Sequence, residues 1–147
     1  MTNSEKLYQQ ALKYLGVTEI NGVASNKVIS SWVAWAMPWV KNEPDLDSKY
    51  AWCAIFISKM MDEIGLLPNH KPIVAARKFL DVGTCVDEPK QGDLVILERG
   101  LYKGHVTIFN KPLKDGFFEG LGGNQANKVG LNKFANNRIL GFRSLDI

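Results

Sequence analysis

Residues 51–64 read Ala-Trp-Cys-Ala-Ile-Phe-Ile-Ser-Lys-Met-Met-Asp-Glu-Ile. Apolar side chains surround almost the whole circumference of the first turns, and Gly65 follows where helices commonly end. A helix that is apolar on all sides has to be buried. The pattern therefore predicts a helix whose N-terminal half lies in the core.

Two more helices are predicted on the N-terminal side of this segment. Residues 4–15 carry an apolar stripe, with Ser4 as the expected N-cap and Gly16 as the stop. Residues 26–39 have apolar residues at three- and four-residue spacing and end near a proline. The polar stretch 42–49 predicts an irregular connection.

On the C-terminal side the pattern changes from the helical period to the alternating period of strands. A short helix is predicted over 74–80. The β-prone runs that follow are residues 94–97, 105–109, 117–121 and 139–143. Helices first and an antiparallel sheet afterwards predict one α+β domain over residues 1–147, with helices and strands in separate layers.

Composition argues against several classes of function. The net charge is only +3 and no run of Lys and Arg is long enough for a nucleic-acid groove, so we expect no nucleic-acid partner. No apolar run approaches the roughly 18 residues that span a bilayer, and we expect no membrane insertion. The N-terminus has neither the basic start nor the apolar stretch of a secretory signal, which predicts synthesis in the cytoplasm.

The two cysteines differ in their local context. Without an export signal they are a poor disulfide framework, so each is a reactive or a buried thiol. Cys53 lies in the first turn of the predicted helix, where free N–H groups and the helix dipole favour a thiolate. This position suits a nucleophile, although an inert buried thiol is an equally common role there. Cys85 lies in a loop and is interpreted as structural.

A cysteine nucleophile needs a base, and the chain contains two histidines. His70 belongs to an exposed turn rich in proline. His105 begins the run 105–109 after a glycine, where the end of a strand can hold its ring. We therefore predict that His105 is the base.

A third polar group must hold the imidazole, and three candidates follow on the next predicted strand. They are Glu119, Asn124 and Gln125. Antiparallel pairing would bring Asn124, after two glycines, beside the start of the His105 strand. Asn124 is ranked first and Glu119 second.

Other chemistries find little support in the residue pattern. The cysteines and histidines are too widely separated for a zinc site, and no metal or cofactor is expected. A glycosidase would need paired carboxylates facing a cleft, and Glu19 with Asp45 or Asp47 could be imagined there. Nothing in their spacing singles them out.

Four motifs occur in an order that resembles a known family. They are Trp-Cys-Ala-Ile-Phe (52–56), Gly-Asp-Leu-Val-Ile-Leu (92–97), Gly-His-Val-Thr-Ile-Phe (104–109) and Gly-Gly-Asn-Gln (122–125). Together they resemble the CHAP and NlpC-type peptidoglycan hydrolases, and within these a branch of short bacteriophage and bacterial endolysin-like proteins. Segments 14–22 and 140–143 also resemble that branch, so the likeness spans most of the chain.

The resemblance implies a papain-like fold and cleavage of an amide bond in the peptide stem or cross-bridge of peptidoglycan. The enzyme would be a cysteine endopeptidase or an N-acetylmuramoyl-L-alanine amidase. Cys53 and His105 carry over as nucleophile and base, and Asn124 as third residue with Glu119 as the alternative. We also expect Trp52 and Gln125 to contact the substrate. Papain relatives have a glutamine oxyanion donor where this chain has Asp47, so only the Cys53 N–H is assigned to that role.

Two alternatives stay open, a catalytically silent cell-wall-binding module and a lysozyme-like glycan hydrolase. The expected partner is bacterial peptidoglycan, and the expected state is a monomer. The protein would act in the periplasm or cell wall after holin-type release or secretion. If it is a secreted effector, an immunity or inhibitor protein would be a further partner.

Overall fold

The computed structural model describes residues 1–21 and 25–146, so Gly22 at the end of segment 14–22 lies outside them. Four α-helices are present in this part of the chain: α1 (Asn3–Leu12), α2 (Lys27–Ala36), α3 (Leu46–Lys49) and α4 (Cys53–Glu63). The strands are β1 (Thr84–Val86), β2 (Leu94–Glu98), β3 (Gly104–Pro112), β4 (Phe117–Gln125), β5 (Lys128–Ala135) and β6 (Ile139–Ser144). Short 3₁₀ helices cover Pro38–Val40, Pro68–His70, Ala76–Asp81 and Asn136–Arg138. The predicted α+β class is confirmed.

The six strands form one antiparallel sheet in the order β1-β6-β2-β3-β4-β5. The main core lies between the helices and one face of the sheet, to which β3 contributes Val106 and Ile108. A smaller apolar cluster covers the opposite face, around Phe109 of β3 and Phe118 of β4. Successive residues of β3 therefore point to opposite faces, as the strand period requires.

Several local expectations need correction. Helix α1 begins earlier than predicted because Thr2, not Ser4, is its N-cap, in a capping box with Glu5. Ser4 is instead buried and donates from Oγ to Asp93 Oδ1 at 2.7 Å. The segment predicted as a helix over 74–80 is a 3₁₀ helix, Ala76–Asp81.

Helix α3 and the strands β1 and β5 were not predicted at all. Strand β5 follows β4 after a tight turn in which Ala126 and Asn127 both have left-handed backbone angles, with φ of 52° and 62°. Paired with β4, it places Phe134 beside Phe118 and Leu131 beside Leu121. Cross-strand contacts of this kind are distant in sequence and stabilise a strand whose own pattern is weak.

Helix α4 approaches strand β4 most closely at Gly123. A Cβ atom at this position would lie 2.6 Å from Phe56 Cβ and 2.7 Å from the Trp52 ring. Both aromatic residues are fully buried. The absence of a side chain at Gly123 therefore allows the N-terminal end of α4 to rest directly on the sheet.

We expect Gly123→Ala to lower the free energy of unfolding by about 1–3 kcal/mol, because the added methyl must displace two buried aromatic side chains. Urea unfolding followed by tryptophan fluorescence measures the change. Gly141→Ala is the matched control, since its Cβ would meet only the ends of two side chains that are not fully buried, Arg143 Nη1 at 2.9 Å and Leu80 Cδ2 at 3.1 Å. An equal loss in both variants would show that the contact with α4 is unimportant.

Candidate active site

Cys53 is the first residue of α4, as the sequence predicted, and is 5% exposed. It lines a cavity of about 650 Å³ together with Arg99, Gly104 and Asn124. Burial raises the pKa of the Cys53 thiol, while the N–H groups of Val106 and Ala54 and the charge of Arg99 act in the opposite direction. The expectation of a thiolate is therefore wrong, because loss of hydration outweighs the helix terminus.

His105 lies at the beginning of β3 and is 3% exposed. Its Nε2 is 3.1 Å from Gln125 Oε1, and its ring is 5.3 Å from that of Phe134. It lines a cavity of about 250 Å³ together with Arg99, Asn124 and Arg138. The imidazole is thus held from the side by an amide and shielded by an aromatic ring.

The amide of Gln125 can have only one orientation. Its Nε2 donates to the backbone oxygens of Gly120 at 3.0 Å and Gly130 at 2.8 Å, and lies 3.1 Å from Asn132 Oδ1. Thr107 Oγ1 donates to Gln125 Oε1 at 2.7 Å. The oxygen facing His105 is therefore an acceptor, and His105 Nε2 has to carry the hydrogen.

This arrangement sets the tautomer of the imidazole. With the hydrogen on Nε2, the lone pair of a neutral ring lies on Nδ1. Nδ1 is buried and has no hydrogen-bond partner. Burial lowers the pKa of His105 to about 4, and Arg99 and Arg138 act in the same direction. The ring is neutral at pH 7 and has a free lone pair, which is the state a general base requires.

The residue bound to the imidazole differs from the one ranked first. Gln125 makes the hydrogen bond that we expected from Asn124, and Glu119 instead accepts from Asn110 Nδ2 at 2.6 Å. The register between β4 and β5 shifts between Gly122 and Gln125, and Asn124 has a φ of 56°. This bulge turns Gln125 toward His105 and leaves Asn124 lining both cavities.

Two glycines make room for the hydrogen bonds of Gln125. A Cβ at Gly120 would lie 2.6 Å from Thr107 Oγ1, and a Cβ at Gly122 would collide with Gln125 Oε1. Gly122, in the Gly-Gly-Asn-Gln motif, and the nearby Gly120 therefore indicate in the sequence that the hydrogen bonds of Gln125 need this space.

The predicted substrate contacts also change. Trp52 is fully buried and packs against Trp32 and Phe56, at centroid distances of 6.1 and 6.5 Å. It is a core residue and cannot touch a substrate. Gln125 is 4% exposed, and its hydrogen bonds hold the imidazole.

The remaining cysteine and histidine lie in exposed positions. Cys85 is exposed in the edge strand β1, so its interpretation as a structural thiol is not supported. The side chain of His70 is 84% exposed, as its turn predicted. Neither residue lines the cavities of Cys53 and His105.

Cys53 and His105 line two different cavities. Cys53 lies in the helix layer, whereas the ring of His105 lies against Phe134, on the opposite face of the sheet. Their cavities share Arg99 and Asn124, and the N–H of Val106, the residue after His105, acts on the Cys53 sulfur. The thiol and Nδ1 are not hydrogen-bonded to each other. The structure thus describes a neutral thiol and a neutral imidazole in two cavities that have Arg99 and Asn124 in common.

Asp47, which stands where papain relatives have an oxyanion donor, is a buried structural carboxylate. It accepts from the N–H groups of Ile20 at 2.7 Å and Asn26 at 2.6 Å and from Ser25 Oγ at 2.7 Å. Burial raises the pKa of Asp47, but these hydrogen bonds together bring it below its ordinary value. Asp47 is therefore an anion, and its hydrogen bonds hold the segment that precedes α2.

Glu19, the other acid of the glycosidase alternative, is in a different environment. Burial raises the pKa of Glu19, with an opposing effect of the Trp52 N–H and a smaller raising effect of Asp47. Neither acid is among the residues that line the two cavities. The carboxylate pair therefore does not form part of this site.

Metal binding and membrane crossing find no structural support in residues 1–21 and 25–146. No group of three or more His, Cys, Asp or Glu side chains there could hold a metal ion. Likewise, none of the helices in these ranges has the length and apolar character needed to cross a bilayer.

Comparison with known proteins adds no assignment. No protein-family model matches the chain, and none of the curated proteins matches it. The likeness to the CHAP and NlpC-type hydrolases consequently rests on the four motifs. The function has to be argued from the geometry of Cys53, His105 and Gln125.

Proposed function

We propose that the protein is a papain-like cysteine hydrolase that cleaves an amide bond in the peptide stem or cross-bridge of bacterial peptidoglycan. One observation carries the proposal. Gln125 Oε1 accepts from His105 Nε2, so the lone pair of the ring lies on Nδ1, which has no partner. An unpartnered lone pair on a neutral imidazole is the state in which a general base can accept a proton.

The architecture supports the papain-like assignment. Cys53 begins a helix that packs on an antiparallel sheet, His105 begins strand β3, and Gln125 ends the adjacent strand β4. The resemblance in sequence implies the same arrangement: a cysteine at the start of a helix, a histidine at the start of a strand and a polar residue on the adjacent strand. Here that residue is Gln125.

Acylation follows from the two neutral groups. The Cys53 sulfur attacks the carbonyl carbon while the thiol proton passes to His105 Nδ1. The carbonyl electron pair moves to oxygen, where the N–H of Cys53 stabilises it. When the C–N bond breaks, Nδ1 gives its proton to the leaving nitrogen, and an acyl thioester remains on Cys53.

Deacylation uses the same base. His105 Nδ1 takes a proton from water as the water oxygen attacks the thioester carbon. The C–S bond then breaks and the sulfur recovers the proton from Nδ1, which restores the starting state. Throughout both steps Gln125 Oε1 stabilises the positive charge on the ring through Nε2.

The mechanism requires the sulfur and Nδ1 to come within hydrogen-bond distance when substrate binds. Catalytic hydrogen bonds are often long in the absence of substrate and shorten in the complex. Asn124 lines both cavities and is the side chain best placed to add a second donor to the oxyanion. Because its amide is neutral, it can donate there, whereas the ionised Asp47 cannot.

A second function, a catalytically silent wall-binding module, is favoured by one observation. Cys53 and His105 are both neutral and are not hydrogen-bonded to each other. A module that kept the framework after losing activity would have such a pair. The two functions differ in whether any bond in peptidoglycan is cut.

Cys53→Ala is expected to abolish clearance of a purified peptidoglycan suspension, because no other Cys and no Ser or Thr is among the residues that line the two cavities. The matched control is Cys85→Ala, an exposed thiol whose loss should leave the rate unchanged. Mass spectrometry of the products should find new free amines and no new reducing sugar ends. Undiminished clearance by Cys53→Ala, or no clearance by the wild type, would contradict the proposal.

The pH dependence should show a general base with a low pKa. His105 accepts a proton only when neutral, so kcat/KM should be level near pH 7 and fall on acidification with a midpoint near pH 4. A histidine with an ordinary pKa would give a midpoint near 6.5.

A preformed thiolate–imidazolium pair would also give a low midpoint, and alkylation separates the two cases. In the Cys85→Ala protein, the rate of alkylation of Cys53 by iodoacetamide should rise only above the ordinary thiol range, about pH 8.5. Rapid alkylation at pH 6 would show that the pair is ionised.

Gln125→Ala is expected to lower kcat by about 100-fold or more with a small change in KM, because the ring loses its orientation and tautomer. Gln125→Glu should shift the acidic midpoint upward, since a carboxylate beside Nε2 stabilises the protonated ring. Steady-state kinetics over pH 3–8 measures both effects. If Asn124→Ala moves the midpoint and Gln125→Glu does not, the assignment of Gln125 is wrong.

A further inference from the structure

The two cavities around Cys53 and His105 are strongly cationic. Their lining contains five cationic side chains and no carboxylate: Arg77, Arg99, Lys103, Lys133 and Arg138. The whole chain has a net charge of only +3 and contains 15 Asp and Glu residues. Cationic groups are therefore concentrated at this opening, and the charge predicts an anionic ligand.

Most of these cations already have a local partner. Arg77 donates to the backbone oxygens of Lys103 at 2.9 Å and Gly100 at 3.0 Å, and Lys133 Nζ lies 4.9 Å from the centre of the Phe117 ring. Arg138 donates from Nε and Nη2 to Glu98 O, at 3.2 and 2.8 Å. Such contacts fix these side chains in place.

Arg99 is different. In the part of the chain that the structure describes, its guanidinium makes no hydrogen bond, although its backbone N–H donates to Lys103 O at 3.0 Å. Arg99 lines both cavities, and its charge lowers the pKa of both Cys53 and His105. The uncommitted guanidinium of Arg99 is therefore available to a ligand in either cavity.

The mechanism tells which part of the substrate Arg99 and Arg138 would meet. The imidazole gives its proton to the leaving nitrogen, so the leaving group lies on the His105 side. The cavity on that side contains both Arg99 and Arg138. A guanidinium matches the two oxygens of a carboxylate with two parallel hydrogen bonds, which a lysine cannot do.

We propose that Arg99, assisted by Arg138, binds a free carboxylate on the leaving-group side of the cleaved bond. The inference rests on the proposed hydrolase function and specifies its substrate class: peptides whose leaving-group residue carries an unamidated carboxylate. The carboxylate can be the C-terminal one or one on a side chain, and both present the same chemistry to Arg99.

Binding can be measured without catalysis. The probe is a synthetic peptidoglycan stem pentapeptide in three forms: with all carboxylates free, with only the C-terminus amidated, and with only the internal carboxylate amidated. Isothermal titration calorimetry is carried out on the Cys53→Ala protein. We expect one amidated form to bind about 10- to 100-fold more weakly than the free acid, as expected for loss of a charge-assisted pair. The amidated form that binds more weakly identifies the carboxylate that Arg99 binds.

In the Cys53→Ala protein, Arg99→Gln should reduce the ratio of the affinity for the free acid to the affinity for the affected amidated form to about 2-fold or less. Arg99→Lys should give an intermediate ratio, because charge is kept while the paired hydrogen bonds are lost. Arg143→Gln is the control, since Arg143 donates to Leu80 O at 2.8 Å and lines neither cavity. Circular dichroism spectra that match among the variants show that all are folded.

The outcomes separate this inference from the proposed function. Equal binding of all three peptides, or a ratio that survives Arg99→Gln, overturns the carboxylate site whatever the activity. Failure of wild-type protein to cut peptidoglycan overturns the hydrolase and leaves the binding result standing. In that case Arg99-dependent binding would describe a module that holds the stem peptide without cutting it.

Discussion

The hydrogen bond between His105 Nε2 and Gln125 Oε1 is the constraint on which the site depends. Gln125 Nε2 donates to backbone carbonyls of its own hairpin and Gln125 Oε1 accepts from Thr107 Oγ1 of β3, so its orientation is fixed by neighbours other than the histidine. The histidine has to accept the tautomer that this amide allows. A flexible carboxylate would hold the ring less strictly, because it presents two equivalent oxygens.

Burial determines the charge of Cys53 and His105. Both Cys53 and His105 lose hydration, and burial raises the pKa of the thiol while it lowers the pKa of the imidazole. Both shifts favour the neutral forms, so the pair does not depend on a preformed thiolate. In the proposed reaction, proton transfer from the thiol to the imidazole then belongs to the attack itself.

Much of the fold follows from local patterns. The sequence predicted the buried helix from Cys53, the strand at His105 and the separation into helices and sheet. These features follow from the spacing of apolar residues and the positions of glycines, which can be recognised within a few residues of sequence. The unpredicted strand β5 depends on cross-strand pairs with β4. Such pairs are not visible in a single stretch of sequence.

The sequence by itself determined which residues could react, since the cysteine at a helix start and the histidine at a strand start are local features. Tertiary structure alone decided their environment. A bulge in β4 turned Gln125, and not Asn124, toward the imidazole, and packing against Phe56 removed Trp52 from the surface. Strand register, the burial of each side chain and the proximity of Arg99 to Arg138 depend on segments that are distant in the chain. The reason is that the hydration and the electrostatic environment of a group are set by its neighbours in space.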